Sequence, residues 1–83
     1  MDREEILLER VLRRSRKLAE ENGYSFIQPI LNYSGCENHD GKEYVVLRNT
    51  SELLSVWLVE VGGKLTPVDF EDYPEDLLEE MSA

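Results

Sequence analysis

Cys36 and His39 stand three positions apart in Cys36-Glu37-Asn38-His39-Asp40, the residue types from which a zinc site or an activated thiol is built. Thiolate sulfur and imidazole nitrogen both ligate zinc, and an imidazole beside a cysteine can accept the thiol proton. A structural zinc site needs four ligands, and the chain holds one cysteine and one histidine. Only a site shared across a symmetric dimer would complete the set. A turn dense in Gly, Asn and Asp also gives no preorganised thiol–imidazole pair. The plainer expectation is a polar hairpin loop with an exposed thiol. No catalytic, cofactor-binding or metal-ligating residue is assigned, and no cofactor is expected.

Anion chemistry has a better footing. Arg10, Arg13, Arg14 and Lys17 crowd one side of the N-terminal segment, with Arg3 a little before them. Guanidinium groups hold phosphate or carboxylate through paired N–H donors, so these four residues are the candidate anion contacts. Ordinary helix-surface pairing competes with that reading, through Glu9 with Arg13 and Lys17 with Glu21. So does neutralisation by the stretch from Asp69 to Glu80, which carries seven acids and no base. That pairing could form within one chain or between chains. No aromatic residue interleaves the basic ones, so stacking on single-stranded nucleic acid has no support. Glu71, Asp72, Glu75, Asp76, Glu79 and Glu80 could present carboxylates in place of phosphates to a basic partner, although their spacing is not that of a calcium loop.

The charge balance narrows the partners further. The chain has 83 residues and a net charge of −9; residues 1–19 hold six bases and four acids, and the rest three bases and 14 acids. Such an acidic field disfavours nucleic acid and anionic membrane surfaces. The opening Met-Asp-Arg-Glu-Glu puts charges where a signal peptide has its apolar core, and no apolar run approaches the ~18–20 residues that span a bilayer. A lone cysteine permits no internal disulfide and suits a reducing compartment. The expectation is a cytoplasmic protein without membrane association.

Periodicity then supplies the elements that must position these groups. Asp2 to Asn22 reads as a helix, because Leu7, Leu8, Val11, Leu12, Leu18 and Ala19 fall on one stripe, and Asn22-Gly23 is a stop. From Tyr24 the period becomes 2, which predicts a strand over Ser25 to Tyr33, at an edge or bulge because Pro29 lacks a donor. Ser34 to Lys42 is turn-rich, with Asp40-Gly41 its strongest hairpin signal. Glu43 to Arg48 and Leu53 to Val61 are the next strands. A helix over residues 51–60 remains the alternative for the latter, with Thr50 or Ser51 as its cap. Gly62-Gly63 turns the chain into a short fourth strand, Lys64 to Val68, ended at Pro67. Pro74 to Met81 can form a short helix or remain a tail.

The third strand is apolar on both sides, with Leu54, Val56 and Leu58 opposite Leu53, Trp57, Val59 and Val61. Such a strand is buried on both faces. The first helix covers one. Leu77, Leu78 and Met81 are the chain's only cover for the other, and a face containing Trp57 looks too large for them. A second copy or a dedicated partner is therefore expected there, with Trp57, Val59, Leu53, Val61, Phe70 and Tyr73 as the candidate interface. The expected fold is α+β, an N-terminal amphipathic helix on a small three- or four-stranded, mainly antiparallel sheet with a short C-terminal helix or acidic tail. Residues 1–83 form one domain, divided as 1–23 helix, 24–68 β-meander and 69–83 acidic linker and C-terminal segment. The expected function is non-enzymatic: an acidic, self-associating, homodimeric interaction or regulatory module. Alternatives are an acidic nucleic-acid mimic that inhibits a basic DNA- or RNA-binding protein, and a small enzyme or ligand-binding subunit with its site at a dimer interface.

Overall fold

The computed structural model describes residues 1–50 and 52–82. Helix α1 spans Arg3–Glu21; strands β1 (Gly35–His39), β2 (Lys42–Arg48), β3 (Leu53–Val59) and β4 (Leu65–Pro67) follow, then helix α2 (Glu75–Ser82). The strands form one antiparallel sheet in the order β1-β2-β3-β4. This is the α+β arrangement expected from the periodicities.

Each element has a local cause. The Asp2 carboxylate accepts the Glu5 N–H at 2.9 Å and caps α1, while Glu4 and Glu5 sit at the positive end of the helix dipole. Between β1 and β2 the chain turns on Asp40 (φ 54°) and Gly41 (φ 78°), the paired positive angles of the tightest hairpin turn. Gly62 (φ 85°) and Gly63 (φ 83°) do the same work between β3 and β4.

Two layers of apolar side chains sandwich the sheet. On one face Leu7 and Val11 of α1 pack on Val45, Leu47, Trp57 and Leu65. On the other, Leu77 of α2 packs on Tyr44, Val46 and Val56, joined by Leu58, Val68 and Tyr73. The doubly apolar β3 therefore finds cover on both sides within its own chain. Three further expectations need correction. Ser25 to Tyr33 is not a strand: it crosses one end of the sheet as irregular chain with a single 3₁₀ turn at Leu31–Tyr33. Pro29 offers no N–H there, and the Ile30 N–H bonds the Arg48 carbonyl at 2.9 Å without a ladder following. The first strand instead lies in Gly35–His39, inside the stretch read as a loop. Finally, the register shifts between Leu47 and Arg48, which pair with Ser55 and Leu53 and leave Leu54 as a bulge. That bulge moves Leu54 to the α1 face and Leu53 to the α2 face, the reverse of strict alternation. Ser51, one of the two possible caps, lies outside the described residues.

Candidate functional site

The sheet separates the two halves of the thiol–imidazole motif. Cys36 packs into the α1 layer, whereas His39 faces α2, with its Nε2 2.9 Å from Glu37 and its Nδ1 3.4 Å from Asp76. Alternation along β1 puts residues 36 and 39 on opposite faces, so the spacing that suggested chemistry forbids contact. Among the described residues no three His, Cys, Asp or Glu side chains converge as a metal site would need. The thiol is also quiet. Burial, with the nearby Glu43 and Glu4 carboxylates, pushes the Cys36 thiol up to about 11. At neutral pH it should alkylate at least ~10-fold more slowly than free cysteine, because the thiolate is the reactive form. A maleimide time course checks this; reaction at the free-cysteine rate contradicts it.

Two ionic clamps hold the helices to the sheet. Arg3 grips Glu43 through two bonds of 2.7 Å, and the Glu4 carboxylate accepts the Cys36 N–H at 2.8 Å, which occupies an exposed donor on the edge strand. On the opposite face Arg48 donates to both Glu37 oxygens, to both Glu80 oxygens at 2.8 and 2.9 Å, and to the Tyr33 carbonyl at 3.1 Å. Half-buried bidentate pairs of this kind are worth more than surface ion pairs. The Arg48 guanidinium, with His39, holds the Glu37 carboxyl below its ordinary value despite partial burial. A carboxylate with a depressed folded value contributes stability that is full above its unfolded value and lost as pH falls through the folded one. For Glu37 that window opens just below pH 4.5, and acid should weaken the attachment of α2. Arg48→Met should cost about 1–3 kcal/mol at pH 7 and return the Glu37 titration toward 4.5, read by carboxyl NMR. An unmoved Glu37 would contradict the clamp.

The basic residues do not act as one row. Arg10, Arg13 and Arg14 line a shallow cleft of about 320 Å³ with Gly63, Lys64 and Leu65 from the β3–β4 turn. Arg14 forms its fixed wall, donating to the Leu65 carbonyl at 2.6 Å while its guanidinium lies 4.8 Å from the centre of the Trp57 ring. Arg13 also reaches Glu9 at 3.2 Å. Lys17 falls outside, beside Leu18 and Glu21. Among the described residues the competing pairing of these arginines with the acidic tail of the same chain is not seen, since α2 docks on the far face. Lys64 was missed because it is remote in sequence, although the Gly-Gly turn before it signals that the chain folds back there.

The candidate interface residues divide as well. Trp57 is 2% exposed, inside the α1 layer, and bonds the Ser55 hydroxyl at 3.3 Å. Val59 packs in the same layer, and Leu53 and Tyr73 pack in the α2 layer. Phe70 is exposed, its ring tilted against that of Tyr73 with centroids 5.7 Å apart, and Val61 projects from the turn after β3. The reason for assigning these residues to an interface was lack of cover, and most of them have it.

Apart from scattered positions such as Val61 and Phe70, the exposed apolar surface concentrates in one segment. Tyr24, Ile27, Ile30, Leu31 and Tyr33 are 36–62% exposed, all within the segment that crosses the sheet end. From Asn22 to Cys36 no residue is charged, in a chain of which 33% is charged. Behind the segment runs a mainly apolar groove of about 300 Å³, walled by Leu18 and Ala19 of α1, by Phe26 and by Trp57. Arg16 braces the segment by donating to Gln28 at 2.9 Å and lying over the Phe26 ring. The missing charge was legible in the sequence and was passed over for the alternation.

These surfaces define a small α+β protein with an exposed apolar segment, itself without charge, and a basic cleft. No protein-family model, curated protein or solved structure matches the chain. Among the described residues no helix is long and apolar enough to cross a membrane.

Proposed function

We propose that this protein is a non-enzymatic interaction module that self-associates through the segment Tyr24–Tyr33. The supporting observation is the coincidence of five exposed apolar side chains with the longest uncharged stretch in a molecule of net charge −9. Two copies of so acidic a chain repel wherever their acidic surfaces meet. The segment carries no charge of its own, so identical copies meet there with the least acidic repulsion. Exposed apolar clusters of this kind mark association sites. Burying the exposed part of such side chains is worth about 1 kcal/mol each, which suits a contact that forms and breaks with concentration. A twofold arrangement needs only this one self-complementary patch, so a homodimer is the proposed species. The role that follows is to bring together whatever the two copies carry or bind. Light scattering behind size exclusion tests it: a mass rising from one chain toward two with concentration, and persisting in high salt, is expected. A monomer at millimolar concentration would end the reading.

A further inference from the structure

The basic cleft has no role in that contact. We infer that it is a second contact between copies, receiving the outward carboxylates of α2 from another molecule, so that dimers link head to tail into larger assemblies. This rests on the reading above only for the starting dimer.

The cleft is built rather than incidental. Arg14 is held by a backbone carbonyl and by Trp57, and Arg10, Arg13 and Lys64 surround it, with no carboxylate-bearing residue in the lining. Like charges three and four apart on a helix repel, and Glu9 offsets only Arg13. No side-chain hydrogen bond or ion pair within the chain engages Arg10 or Lys64 among the described residues. An anion is what the site lacks.

Its complement lies on the same molecule, out of reach. Glu75 and Glu79 are exposed, one turn apart on α2, opposite the buried Leu77, and no ion pair engages them among the described residues. Their neighbours Asp76 and Glu80 instead reach His39 and Arg48. Because α1 and α2 pack on opposite faces of the sheet, cleft and ridge can meet only between molecules. Such a contact is heterologous, and each copy added presents a new cleft and a new ridge. Guanidinium–carboxylate forks suit it, and the attraction should fade with salt because the groups stay near the surface.

The test is sedimentation velocity on the full chain in low and high salt. Species larger than a dimer are expected in low salt, returning to dimer in high salt. Two charge reversals then localise the contact. Arg10→Glu with Lys64→Glu, and separately Glu75→Lys with Glu79→Lys, should each lose the larger species. An equimolar mixture of the two should regain them, which a misfolded variant would not do. Larger species that survive high salt or either reversal overturn the inference, as does their absence from the wild type in low salt. A cleft that binds inorganic phosphate or an oligonucleotide while copies remain apart overturns it too. Salt-sensitive growth starting from monomers would leave this contact standing and remove the apolar dimer instead.

Discussion

Replacing Leu77 by alanine should destabilise the protein by about 2–5 kcal/mol, the usual loss when a buried leucine is cut back in a packed site. Leu77 is 1% exposed and is the one fully buried side chain of α2, resting on Tyr44, Val46 and Val56. Its loss opens a void at the centre of the second layer and loosens the helix that carries Glu80 to Arg48. A chain of this size has a small margin to lose, since small domains bury a lower fraction of their surface. Urea unfolding followed by fluorescence of Trp57, the sole tryptophan and buried in the opposite layer, reads the effect on the whole fold. Glu79→Ala, outside the packing, should shift the midpoint little. A Leu77→Ala loss below ~1 kcal/mol would mean that α2 does not cover the sheet.

The second large effect concerns association. Ile27→Lys with Leu31→Lys should weaken the dimer at least ~100-fold while leaving the urea midpoint nearly unchanged. Both side chains are exposed in the single chain, so the fold loses little contact when they change. In a twofold contact each substitution appears twice, and a lysine ammonium buried there without a partner is strongly disfavoured. The same two substitutions would raise the net charge of each chain from −9 to about −7, which by itself eases repulsion between copies. Loss of dimer despite that easing is therefore specific to the apolar surface. An unaltered dimer would move the interface elsewhere.

Sequence patterns carried much of the fold. The stripe from Leu7 to Ala19, the Asp40-Gly41 turn, the run from Tyr44 to Leu47 and the Gly62-Gly63 reversal each agree with a local rule, and each element formed as expected. Errors arose where tertiary pairing decides. Gly35–His39 has no β-type apolar pattern and is a strand because the hairpin delivers it to β2. Ser25 to Tyr33 alternates well, yet it has no neighbour to complete a ladder. Leu53 and Leu54 exchanged faces through a one-residue bulge that no pattern signals. The cover for the second face was underestimated because Trp57 was counted on it, whereas Trp57 packs under α1 and leaves α2 the smaller face. Arg48, paired with Glu80, and Tyr73, packed beside Leu77, fix that helix together. The candidate sites followed the same logic. Arg10, Arg13 and Arg14 were legible as neighbours on one helix, whereas Lys64 reaches them only through the sheet.

The most direct measurement is the amide NMR spectrum of labelled protein followed on dilution from millimolar to low micromolar concentration in high salt. Shift changes concentrated between Tyr24 and Tyr33, with the sheet and α2 unmoved, are the predicted result. Changes centred on β3 and α2, or a spectrum independent of concentration, would contradict the account.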